Sequence, residues 1–154
     1  MAKNAYPVFS HEYFMHKALV LAEEAFQQDE IPVGAIVVAD GKKIIGKGYN
    51  QTEKLTDVTA HAEMLALSAA SNFLGGKYLK DCTLYVTLEP CLMCAGALAW
   101  SQISTVVYGA SDAKRGFSLW SPGVLHPKTN LISGVLADEA GQLMKAFFKK
   151  LRPG

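Results

Sequence analysis

Apolar and polar positions follow two periods along this chain, and the switches between them mark the elements. From Ser10, a residue type that caps helix starts, to about Gln28, the apolar residues Phe14, Ala18, Leu21, Ala22, Ala25 and Phe26 share one helical face. Glu12 sits near the positive end of that helix. Val33 to Ala39 is a short β-branched run, Asp40-Gly41 is a tight-turn signal, and Lys43 to Tyr49 is a second strand-like run. Together they predict a hairpin. Asn50 to Thr59 is polar and reads as a loop. A helix capped by Thr59 is expected from near Ala60 until just before Gly75-Gly76. Thr83 to Leu88 is rich in strand formers, and Pro90 suits the first turn of a helix running to about Ser101. Ile103 to Ala110 reads as another strand, and strand–helix–strand implies a parallel pair with a right-handed crossover. Asp112 to Asn130 is irregular. A brief strand at Leu131 to Val135 then precedes a last helix to about Leu151, with Leu136, Ala140, Leu143, Met144, Phe147 and Leu151 facing inward. The order predicts one α/β domain over residues 1–154. Its architecture is three-layer α-β-α, a mixed central sheet of about five strands with helices on both faces.

Composition narrows the function. Half of the 154 residues are apolar, 19% are charged and the formal net charge is +1. These values exclude a disordered chain, a collagen-like repeat and a globally basic protein that wraps nucleic acid. Any nucleic-acid contact must therefore come from local patches. Three cysteines are too few for a disulfide framework, and Met1 to Phe14 lacks the pattern of a secretion signal, so a reducing, cytoplasmic setting is expected. Cys82 to Ile103 is nearly uncharged, but Glu89-Pro90 lies near its middle. A carboxylate at bilayer depth costs on the order of 3 kcal/mol, so the segment is a buried strand and helix rather than a membrane span.

The chemistry gathers at two predicted helix starts, His61-Ala62-Glu63 and Pro90-Cys91-Leu92-Met93-Cys94. Cys91 and Cys94 are three apart, so on a helix both sulfurs face one side, and the positive helix end favours their thiolates. His61 completes a ligand set suited to zinc. Three protein ligands leave the fourth position to water, which marks a catalytic rather than a structural site. Glu63 would border the same pocket from another side, where a carboxylate can take the water's proton and return it to a leaving nitrogen. Cys-x-x-C alone is more often core or redox, and His-x-Glu alone means little; their joint placement at helix starts carries the assignment. Cys82 is read as a small buried hydrophobe. His11, His16 and His126 receive no chemistry.

With these residues in place, the chain resembles the cytidine-deaminase-like zinc deaminases, and within them the bacterial tRNA-specific adenosine deaminases. The matching stretches are 32–35, 59–63, 83–97, 107–110 and 112–114, with the closing Phe147-Phe148 helix. The resemblance implies a cytidine-deaminase-like fold holding one Zn2+ per subunit on His61, Cys91 and Cys94. The implied reaction is hydrolytic deamination of adenosine to inosine at the wobble position of a tRNA anticodon, by zinc-activated hydroxide with Glu63 as proton shuttle. It further implies that Asn50 binds the substrate nucleoside, that Asp112 and Lys114 contact the RNA, and that the protein is a homodimer binding a tRNA anticodon loop. The nearly all-apolar helix from Leu92 to Trp100 suits burial in a core or between subunits. The chain departs from the family after Lys114, in Arg115 to Pro122, where Phe117 and Trp120 either stack on splayed bases or pack onto the protein. Lys145, Lys149 and Arg152 recur at helical spacing, a stripe that either binds phosphate or is a solvated face. Two rival functions remain: a deaminase of a free base or nucleoside (guanine, cytosine or cytidine), and a non-catalytic zinc-stabilised binding module.

Overall fold

A computed structural model describes residues 3–152. Helix α1 (His11–Gln27) begins where Ser10 accepts a hydrogen bond from the Tyr13 amide, as its sequence predicts. The hairpin follows as β1 (Gly34–Ala39) and β2 (Lys43–Tyr49), with Asp40 and Gly41 both at positive φ in the turn. After α2 (Ala62–Leu74) come β3 (Cys82–Leu88), α3 (Leu92–Ser101) and β4 (Thr105–Ala110). A short helix α4 (Phe117–Trp120), strand β5 (Asn130–Ile132) and helix α5 (Ala137–Leu151) complete the chain.

The five strands form one sheet in the order β2-β1-β3-β4-β5. The pairs β1/β2 and β1/β3 are antiparallel, whereas β3/β4 and β4/β5 are parallel. The sheet is therefore mixed, and helices cover both faces. On one face Phe14, Met15 and Ala18 of α1 pack against Ile36, Val38, Tyr85 and Val107, and α5 joins them through Phe147, edge-on to Phe26. On the other, Ala62, Ala66 and Ala70 of α2 and Leu98 of α3 meet Val37, Leu84, Val86 and Val106. Each large apolar side chain so buried contributes roughly 1.5–3 kcal/mol. Among the described residues no helix is long and apolar enough to cross a membrane.

Several expectations need correction. Thr59 does not cap α2: its amide and hydroxyl both donate to Asp57 Oδ1, at 2.8 and 2.7 Å, and His61 takes the cap position. Pro90 is not in the first turn of α3, because Cys91 is the cap and the Pro90 carbonyl accepts the Phe117 amide at 2.9 Å. The irregular segment after Asp112 contains α4, and β5 stops at Ile132 rather than Val135. Leu151 is 56% exposed and is not part of the inward face of α5, since the sheet has ended by the last turn.

Candidate active site

The sheet places its chemistry at one end. β2 leads into Asn50, β3 into Glu89-Pro90-Cys91 and β4 into Ser111-Asp112, and in this strand arrangement all three exits lie at the carboxyl end of the parallel pair. That end is where open α/β sheets bind ligands. Helix α2 is drawn close onto β2 by Gly46 and Gly48, where a Cβ would run into the backbone carbonyls of Ala66 and Ala62. The close fit fixes the start of α2 and with it His61. His61 and Cys91 are the cap residues of α2 and α3, both with extended backbone, and Cys94 follows in the first turn of α3.

His61 Nδ1 lies 3.6 Å from Cys91 Sγ and 3.4 Å from Cys94 Sγ, and the three donor atoms all fall within 4.8 Å of one another. Zinc bonds of about 2.3 Å to sulfur and about 2.0 Å to nitrogen, set tetrahedrally, separate a sulfur from a nitrogen by about 3.5 Å. The arrangement therefore fits one Zn2+. Two thiolates and an imidazole are also the donors zinc prefers. Among the described residues no fourth His, Cys, Asp or Glu joins the group, which leaves a coordination position for water.

Protonation in this cluster follows from its contacts. The Cys94 thiol and then the His61 ring hydrogen-bond to Cys91 and hold its thiol down at about 4. The same contacts push Cys94 up, through Cys91 first and burial second, and raise His61 through its bond to Cys91. Cys91 is thus the thiol of the pair that ionises first, at a helix start that favours the thiolate. Glu63, in the first turn of α2, is 4% exposed, and burial pushes its carboxyl up from 4.5 to about 7. The nearby Cys91 and His61 act on it electrostatically with opposite signs. An acid held near neutrality beside the donor set is suited to give and take protons.

Of the other predicted residues, Asn50 is buried; its Nδ2 donates to the Ile31 carbonyl at 3.3 Å, and its Oδ1 has no partner. The following amide, Gln51 N–H, donates to the Ala60 carbonyl and so ties this loop to the residue before His61. Asp112 turns its Oδ1 to the amides of Lys114 and Arg115, both at 3.0 Å, while the Lys114 side chain is exposed. The two aromatics of the divergent segment separate: Phe117 is 1% exposed and packs inside, whereas Trp120 is open to solvent. Lys150, beside the basic stripe, pairs with Asp29 at 2.7 Å. Cys82 is buried, and burial raises its thiol, as an inert core cysteine requires. His11 Nδ1 is 2.8 Å from the Tyr85 hydroxyl, a partner 74 positions away that its sequence neighbours do not reveal. Sequence reasoning also passed over Glu30 and Glu89, two buried carboxylates that hold the flanking loops. Glu30 accepts the amides of Glu53 and Lys54 at 3.1 and 2.8 Å.

Fold and donor set together define a class. The chain belongs to the family of the cytidine and deoxycytidylate deaminase zinc-binding region, whose model matches residues 9–110. A tRNA-specific adenosine deaminase of Aquifex aeolicus (strain VF5) is 47% identical over 146 residues, covering 92% of this chain and 95% of that protein. A solved structure from studies of A-to-I editing by tRNA:A34 deaminases at the wobble position of transfer RNA is 40% identical with a TM-score of 0.79, over 85% of this chain and 98% of that one. The guanine deaminase of Nitrosomonas europaea shares the fold with the same TM-score of 0.79, at 26% identity over 96% of each chain.

Proposed function

We propose that the protein hydrolyses adenosine to inosine at the wobble position of a tRNA anticodon, releasing ammonia. One observation carries the chemistry: the buried Glu63 carboxyl stands beside a three-donor set that fits zinc. The choice of substrate rests on the tRNA-specific adenosine deaminases, 38–47% identical over 90% or more of this chain, against guanine deaminases at 38% over 75% of it (Bacillus subtilis) and 26% over 96% (Nitrosomonas europaea).

His61, Cys91 and Cys94 would hold the ion, which would supply a Lewis acid able to acidify a bound water toward neutrality. Glu63 would take a proton from the water that attacks C6 and return it to the exocyclic nitrogen, so that a new C6–O bond replaces the C6–N bond and the nitrogen departs as ammonia. Asn50 offers its free Oδ1 to a hydroxyl of the substrate nucleoside. Asp112, an acid, would be repelled by phosphate and so turns to a ribose hydroxyl, whereas the exposed Lys114 takes phosphate. A homodimer completes the reading. Helix α3 leaves Leu92, Met93 and Trp100 exposed (Trp100 at 85%), an apolar surface that a second copy of the chain would cover. A tRNA substrate places the protein in the cytoplasm.

Incubating the zinc-loaded protein with total bacterial tRNA, then digesting the RNA to nucleosides, tests the assignment. Inosine should appear in the digest, and sequencing of the undigested tRNA should locate it at position 34. Ammonia released from guanine, with no inosine in tRNA, would transfer the protein to the free-base deaminases.

A further inference from the structure

We infer that Glu89 is a positioning residue, a buried carboxylate that fastens the loop carrying Asp112 and Lys114 to the turn carrying Cys91. The inference rests on the tRNA deaminase reading for its functional consequence, though not for its geometry.

Glu89 lies between β3 and Cys91 and is 4% exposed. Both of its oxygens are used. Oε1 accepts the Asp112 amide at 3.1 Å, and Oε2 accepts the Ser118 amide at 3.1 Å and the Ser118 hydroxyl at 2.6 Å. Among the described residues no Lys, Arg or His forms an ion pair with it, so neutral donors of one loop satisfy this carboxyl. The backbone runs alongside: Glu89 N–H donates to the Ala110 carbonyl at 2.8 Å, Phe117 N–H donates to the Pro90 carbonyl at 2.9 Å, and Cys91 bridges Gly116.

Gly116 is the counterpart. A Cβ there would occupy the same space as the Glu89 carboxyl group, so this residue has to be glycine for the loop to close over the carboxylate. Phe117, next in the chain, is buried and anchors the loop from the far side. Asp112 therefore faces two ways, its amide inward to Glu89 and its carboxylate outward to the Lys114 and Arg115 amides. The position of the outward groups relative to the metal donors is set through Glu89. An uncharged support of the same shape would not serve, because an amide in place of the carboxylate turns a donor toward an N–H at either Asp112 or Ser118.

The test is Glu89→Gln in the zinc-loaded full chain, read by steady-state editing of tRNA and by hydrogen exchange of backbone amides. KM for tRNA should rise by about fivefold to a hundredfold, the span that one unsatisfied buried donor produces. The value of kcat at saturating tRNA and the zinc content should stay within about twofold. The Asp112 and Ser118 amides should exchange faster, while those of α2 and α3 do not change. Gly116→Ala, which displaces the carboxyl group without altering its charge, should reproduce both effects, and it replaces Glu89→Gln if that variant does not fold. Unchanged KM with unchanged exchange would overturn the inference. So would a loss of kcat and zinc at constant KM, which would make Glu89 a support of the metal turn alone. If the parent chain edits no tRNA, the deaminase reading has failed, and the exchange of Asp112 and Ser118 still decides whether the clamp exists.

Discussion

Glu63, in the first turn of α2, and Glu89, two residues before Cys91, are each 4% exposed. Their surroundings differ completely. Glu89 receives two backbone amides and a hydroxyl from one loop. Among the described residues Glu63 has its own amide and the Cys94 thiol as donors, and burial outweighs them, pushing its carboxyl up to about 7. Three fixed donors hold the Glu89 carboxyl group in place, whereas burial with few donors raises the Glu63 carboxyl. The same side chain thus has two settings in this chain, and the number of fixed donors separates them.

The largest effect should come from removing the ion that gives Glu63 its task. Cys91→Ala or Cys94→Ala should weaken zinc binding by more than the 10- to 100-fold, roughly, that outer-shell changes cost, and should lower the melting temperature, because metal binding and folding are coupled. Full metal occupancy in both variants would remove these cysteines as ligands and with them the distinction between the two glutamates.

A smaller effect sharpens the comparison through pH. In the zinc-free protein Glu63 is raised from 4.5 to about 7, so the folded chain binds this proton more tightly than the unfolded one. Its contribution to stability is full below pH 4.5 and is lost as pH rises through about 7, a change on the order of 3 kcal/mol. Cys91, held at about 4, acts with the opposite sign in the same interval, so the parent's own pH profile mixes the two. The difference between parent and Glu63→Gln isolates the carboxyl: relative to the parent, the variant should gain stability between pH 4.5 and 7. Chemical denaturation at the two ends of that range measures it, and a flat difference would show that burial does not hold the Glu63 proton.

Patterns carried by neighbours in the chain were legible. Asp40-Gly41 fixed the hairpin, Ser10 the start of α1, and the spacing of Cys91 and Cys94 their shared direction. The errors arose where a local signal met a longer-range competitor. Thr59 looks like a cap until Asp57 takes its hydroxyl, and Pro90 looks like a first-turn residue until Phe117 claims its carbonyl. Glu89 served in the sequence only to exclude a membrane span. Its partners lie 23 and 29 positions away, and no periodicity connects them. The metal set was readable although His61 is 30 positions from Cys91, because zinc imposes its own restricted choice of residues. A clamp built from backbone amides imposes no residue types on its partners and leaves no such trace.

On the proposed mechanism Glu63 moves the proton beside a metal held by His61, Cys91 and Cys94. Glu63→Gln, loaded with zinc and assayed for inosine in tRNA, tests it most directly. One zinc per chain should be retained, while editing falls by at least about a hundredfold, the scale of lost general acid–base catalysis. Editing that survives within about tenfold of the parent at full zinc occupancy would contradict it.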